Sequence, residues 1–190
     1  MNKAPLAHSW ATDFLDIEHE SVRAFTAAAV GDAGTDRDKA KRLFAAVRDQ
    51  IRYDPYTVSD DPAHYRASFV LETGRAYCVP KAVLLTAVCR AAGIPALLGF
   101  ADVRNHLQTE ALRALMGGTD LFVYHGYSHL YVNGRWMKAT RRSTPSCVPV
   151  SGCRRWISMA STTPSCTPSP PTEPCTWSMS ASAASSTTCL

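Results

Sequence analysis

Residues 72–103, ETGRAYCVPKAVLLTAVCRAAGIPALLGFADV, decide the fold. From position 79 to 92 apolar side chains sit nearly all round a helical wheel, so the spacing predicts a helix at the centre of a core. Gly93 and Pro95 stop that helix. Residues 96–103 then suit a buried strand. A loop from Glu72 to Tyr77 leads into the helix and puts Cys78 at the junction. Pro80 is tolerated there, because its missing N–H would have no partner in a first helical turn. A thiol at a helix N-terminus feels the positive end of the dipole, which favours the thiolate. Backbone N–H groups at the same place can hold an oxyanion. This is the placement a nucleophilic thiol needs. The competing reading is a small buried cysteine in a core helix, and that reading fits Cys89 in mid-helix.

A nucleophilic thiol needs a base nearby, usually a histidine oriented by a third group. Residues 122–132, the Asn133-Gly134 pair and residues 135–140 give a hairpin signal with a type I′ turn. Period-two alternation puts His125, Tyr127, His129 and Tyr131 on one face of the first strand. Either histidine is a candidate base by position, beside the plainer reading of a packed or surface residue; His106 is a weaker one. Upstream, residues 16–30 have helical apolar spacing and end at Gly31. Thr35-Asp36-Arg37-Asp38 resembles a capping box and opens a helix to about residue 52, with Ala40, Leu43, Phe44, Val47 and Ile51 on one face. Residues 53–65, rich in Asp and Pro, read as loop, and residues 104–120 as mixed, with a short helix ended by Gly117-Gly118. Both stretches are expected to shape a cleft.

Composition narrows the function class. The chain has 190 residues and a formal net charge of +4, with its basic residues scattered, so a nucleic-acid partner is not expected. No apolar run approaches the roughly 20 residues needed to span a bilayer, and the first residues lack a hydrophobic signal core. No membrane association and a cytoplasmic location are the expectations. Only Cys78 and Cys89 fall in the first 140 residues, which suits reduced thiols better than a disulfide framework. The cysteines and histidines lack zinc-ligand spacing, so no metal site is expected.

Two blocks carry a family resemblance. Cys78 with KAVLLTAVCRAAGIPALLGF after it resembles the transglutaminase-like superfamily, in which a Cys opens a helix followed by "RAxGIPA" and a strand. HGYSHLYVNGRW, from His125 to Trp136, is similar to that superfamily's "HxWxEVYxxGxW" strand-turn-strand. The likeness covers roughly residues 35–140 and extends to bacterial transglutaminase-like cysteine proteases carrying "RNHL…YHGY…W-x-KATPAFN". It implies a papain-like α+β fold, with a central helix bearing Cys78 packed on an antiparallel sheet bearing His125. It also implies that Cys78 is the nucleophile and His125 the base. Tyr127 falls where the family has an aromatic and His129 where it usually has Glu; with Tyr77 they are the substrate-binding candidates. The third triad member, an Asp four residues after the Trp, maps onto Thr140, which cannot supply the charge that stabilises an imidazolium. The implied chemistry is hydrolysis of, or acyl transfer from, a peptide or protein amide through a thioester. No cofactor is needed for it. The rival reading is a silent transglutaminase-like module that binds a peptide or partner, which Thr140 favours.

After Thr140 the chain changes character. Residues 141–190 hold five of the seven cysteines and seven of the twelve prolines, and 27 of these 50 residues are Ser, Thr or Pro. Such composition is expected to remain disordered. Natural tails of that kind are rarely rich in Cys and Trp, and a shifted reading frame accounts for both. Joining the last base of each codon to the first two of the next, Trp156-Ile157 forces an Asp codon and Met159-Ala160 a Gly codon. With GC-rich choices elsewhere, positions 156–169 become LDFDGVDDSILHPF, and the segment from Arg141 begins PAFN, the continuation the family pattern carries. The expectation is a one-base deletion near codon 141, a domain over residues 1–140 and an out-of-frame tail over 141–190.

Overall fold

The computed structural model describes residues 8–104 and 109–139. Its central element is α4 (Cys78–Ala91), in which every side chain from Pro80 to Arg90 is buried. A helix apolar on all sides has to be covered on all sides, and the surrounding elements do this. Helices α1 (Glu20–Val30), α2 (Asp36–Gln50) and α3 (Ala67–Thr73) pack on it, as do strands β3 (Ala96–Arg104) and β4 (Leu121–Val132). With β5 (Arg135–Ala139), those strands form an antiparallel sheet in the order β3-β4-β5. The arrangement is α+β, a buried cysteine-bearing helix against an antiparallel sheet, as the sequence implies. The hairpin turn lies where it was read, with Asn133 at φ 54° and Gly134 at φ 76°, both in the region a type I′ turn requires.

Two polar ties fix α4 within this core. Ser128 on β4 is fully buried; its hydroxyl donates to the Ala82 carbonyl at 3.0 Å and accepts from the Thr86 hydroxyl at 3.0 Å. At the other end of the helix, the Arg90 guanidinium donates to the carbonyls of Ala96 at 2.8 Å and Trp10 at 2.7 Å. Buried polar groups are tolerated because each finds such a partner.

Three boundaries differ from the sequence reading. Helix α1 starts at Glu20 instead of residue 16, because Asp16 is held by long-range pairing: its carboxylate accepts the Ser68 N–H at 3.2 Å. His19 caps the helix through its ring nitrogen, which accepts the Ser21 N–H. The cap on α2 is as read, Thr35 Oγ1 accepting the Asp38 N–H at 3.1 Å, but the helix stops at Gln50. The chain then turns extended to form β1 (Arg52–Tyr53), which pairs in parallel with β2 (Arg75–Ala76). Residues 53–65 are not all loop, since a short 3-10 helix runs over Pro62–Tyr65, and α3 follows. This last pairing matters for the site. The Arg52 and Asp54 N–H groups donate to the carbonyls of Gly74 and Ala76, at 2.8 and 3.1 Å, so the segment that enters Cys78 is pinned two residues before the thiol.

Candidate functional site

Cys78 is the first residue of α4, and Tyr77 precedes it as an extended cap residue with no side-chain cap hydrogen bond. The first-turn N–H groups are therefore left to other acceptors, and the thiol is one. The backbone N–H groups of Gly126 on strand β4, then of Val79 and Cys78 at the start of the helix, favour the ionised sulfur. Burial pushes the Cys78 thiol up from its ordinary value, and these three donors pull against that rise. Cys89 is also a free thiol, but burial alone governs it and it lies wholly within the core.

Gly126 is what lets the strand come so close. A methyl group there would lie 2.7 Å from the Val79 Cα and 3.2 Å from the Cys78 carbonyl oxygen. Contacts that short are repulsive, so the helix start and the strand can touch only through a glycine. The neighbouring residue, His125, follows a β-bulge. Ala101 faces His125 and Val103 faces Phe122, so Asp102 alone is opposed by Val123 and Tyr124. Tyr124 takes the left-handed conformation, φ 57°, and its N–H donates to the Asp102 carboxylate at 3.1 Å. A bulge re-aims the side chains beside it, and here the next one along is the imidazole.

Cys78 and His125 line one cavity of about 40 Å³, closed by Phe44, Val47, Lys81 and Tyr127 among others. That volume is enough to hold water. Burial lowers the His125 imidazole from 6.5 to about 4. At neutral pH the ring is therefore unprotonated and can accept a proton. Tyr127 belongs to the same wall. Its ring folds over Gly99, where a methyl group would sit 2.5 Å from the ring carbon Cζ, and Lys138 lies 4.9 Å from its centroid on another side. Tyr77, the third aromatic singled out by sequence, donates its hydroxyl to that of Tyr65 at 3.1 Å. Burial, then Tyr65, keep it protonated well above the usual phenol range.

His129 is placed differently. It is not among the described residues lining the cavity and instead makes ring contacts on the sheet, 5.0 Å from Tyr127 and 6.4 Å from Trp136 between centroids. Burial, then the Lys138 charge, lower it to about 4, so it stands as a neutral ring where the family pattern has a carboxylate. Thr140 and His106 lie outside the described residues. A second, more open groove of about 240 Å³ lies across Val79, lined by Phe14, Asp60, Tyr65, Leu98 and Phe100 among others. Residue 53 and part of 60–65 thus border these two hollows, whereas none of the described residues from 109 to 120 does.

Sequence reasoning passed over Gly126 and Lys81. Both carried a signal: a glycine inside a strand pattern marks close backbone approach, and a single lysine early in an otherwise apolar helix must find partners. Among the described residues no cluster of three or more His, Cys, Asp or Glu could hold a metal, and no helix is long and apolar enough to cross a membrane.

The model of the Transglutaminase-like superfamily matches residues 23–140. A solved structure of a provisionally named cysteine protease from Cytophaga hutchinsonii superposes with a TM-score of 0.56 at 15% identity, covering 73% of this chain and 42% of its own. A provisionally named protease from Parabacteroides distasonis aligns at 19% identity with a TM-score of 0.45, over 64% of this chain and 23% of its own. The chain thus spans less than half the length of either solved protein. No curated protein matches.

Proposed function

Since the chain belongs to the transglutaminase-like superfamily, we propose that its domain carries out cysteine-dependent cleavage of a peptide or protein amide, with Cys78 as nucleophile and His125 as base. The observation that carries this reading is the shared cavity: a thiol at a helix N-terminus and an unprotonated imidazole border the same small hollow. In the reaction, the Cys78 sulfur bonds to the amide carbon as its proton passes to His125. The carbonyl oxygen takes up negative charge, which N–H groups at the start of α4 stabilise. The C–N bond then breaks, the amine leaves with the proton from His125, and a thioester remains on Cys78. Water attacks the thioester with His125 as base, releasing the acid and restoring the thiol. An amine in place of water would give transfer.

Tyr127 and Tyr77 are the proposed substrate contacts, with His129 acting at one remove through the Tyr127 ring. Thr140 occupies the position at which the family pattern carries its third triad residue. A charge-free residue there favours a second reading, in which the fold binds a peptide without cleaving it. The discriminating experiment presents the chain with a peptide thioester and follows the mass of the Cys78-containing fragment. Acylation of Cys78 with turnover supports the hydrolase. Saturable binding with no adduct at Cys78 would establish the binding module.

A further inference from the structure

Two helix ends of opposite sign meet at the candidate site. Helix α4 brings its positive N-terminus to the Cys78 sulfur. Helix α2 brings its last turn to the same cavity, where Val47 and Arg48 form part of the wall. The carbonyls of a last turn carry the equivalent of about half a negative charge. Left alone, that end would oppose a thiolate. Lys81 reaches from α4 to this end of α2. It lies one turn after Cys78 on α4, is 6% exposed, and lines the cavity. Its ammonium donates to the Val47 carbonyl at 3.0 Å and to the Ile51 carbonyl, both belonging to the end of α2.

We propose that Lys81 is a positioning residue whose buried charge cancels the negative end of α2 and leaves the field of α4 to act on Cys78. The inference rests on Cys78 being the nucleophile. Removing the charge would uncover the α2 carbonyls toward the sulfur and disfavour its ionised form. The other titratable groups facing the sulfur do not duplicate the role. Arg48 is bound through two donors to the Asp49 carboxylate, at 2.6 and 2.7 Å. His125 is neutral at working pH, Tyr53 and Tyr127 on the cavity wall supply hydroxyl groups, and the Tyr77 hydroxyl donates to Tyr65. Lys138 is directed to the Tyr127 ring.

The test compares the full 190-residue chain with Lys81→Gln, which keeps a hydrogen-bond donor without charge, and Lys81→Arg, which keeps the charge. Iodoacetamide alkylation of Cys78 is followed from pH 5 to 10 by peptide mass spectrometry, so that the other cysteines do not contribute. Lys81→Gln is expected to slow alkylation at pH 7 roughly 3- to 10-fold and to move the alkaline rise up by about 0.5–1 pH unit, the size of one partly screened charge. Lys81→Arg is expected to stay within threefold of the parent at pH 7. A merely structural lysine would lower the melting temperature of Lys81→Gln and leave the pH profile in place, which would overturn the proposal. If Lys81→Gln does not melt cooperatively, Lys81→Arg decides, and a loss beyond threefold overturns it. A parent Cys78 no more reactive than an unfolded thiol would instead count against the nucleophile assignment, while the displacement of the alkaline rise would still report on Lys81.

Discussion

Gly126 and Val79 touch so closely that a methyl group on the glycine would stand 2.7 Å from the valine Cα. This contact joins β4 to the first turn of α4, and next to it lie the two candidate reactive groups, Cys78 before Val79 and His125 before Gly126. The placement of thiol and imidazole therefore depends on two backbones in contact.

Gly126→Ala tests that dependence. The added methyl meets backbone, which cannot swing aside, so strand and helix must part by several tenths of an ångström. Overpacking of this kind costs about 1–3 kcal/mol, and displacement of positioned reacting groups by about 1 Å costs about 100-fold in rate. The expected result is a lower melting temperature together with a fall of at least tenfold in Cys78 acylation by a peptide thioester. Unchanged acylation would mean that the contact does not position the pair.

The acid side of the pH profile follows from His125. Its folded value, about 4, lies below the ordinary 6.5. Between those values the unfolded chain binds more protons than the folded one, so stability rises with pH and is lost as pH falls from about 6.5 toward 4. His129 shifts in the same direction and steepens the loss, though its partial exposure weakens the contribution. Urea unfolding at pH 7 and pH 4.5 should show the drop, and His125→Gln should reduce it. Acylation of Cys78 should hold its rate down to about pH 5. A midpoint near 6.5 would show that the ring is solvated and the burial argument wrong.

Much of this arrangement is legible in the sequence because its signals are local. The apolar run after Cys78, the Gly93 and Pro95 stops and the Asn133-Gly134 turn each act within a few residues. What escapes is long-range or unmarked. Helix α3 has seven residues and no side-chain cap bond, so nothing in its own composition announces it. The bulge before His125 places Tyr124 at positive φ, and an aromatic residue gives no warning of that. Lys81 is visible as a lysine in an apolar helix, yet its partners lie 34 and 30 residues upstream.

Ser128 separates fold from chemistry. Its buried hydroxyl joins the Ala82 carbonyl and the Thr86 hydroxyl, and neither Ser128 nor Thr86 lines the cavity, which this tie meets only through Ala82. Ser128→Ala leaves the Thr86 hydroxyl without that acceptor in a site with no solvent access. A stability loss of about 1–3 kcal/mol is expected, with acylation of Cys78 at 25 °C within twofold of the parent. Loss of acylation in a folded Ser128→Ala protein would show that α4 shifts along its axis when the tie is cut.

The reading of residues 141–190 as out of frame has a consequence for the sheet. Strand β5 is described only to Ala139, which pairs with Ser128, so its described pairing with β4 stops three residues short of His125. On that reading, Arg141-Arg142-Ser143-Thr144 stands directly after it in place of PAFN. If the native continuation supplies strand pairing beside the candidate base, a chain lacking it keeps an open edge there and loses the wall that orients the imidazole. Inserting one base near codon 141 should then give a protein that melts cooperatively at a higher temperature than the 190-residue chain and acylates faster at Cys78. A cooperative melt of the 190-residue chain, equal to that of the restored one, would refute this reading. Synonymous-codon usage across the stretch gives an independent measure, because a frame under selection leaves its third-base bias in the shifted register.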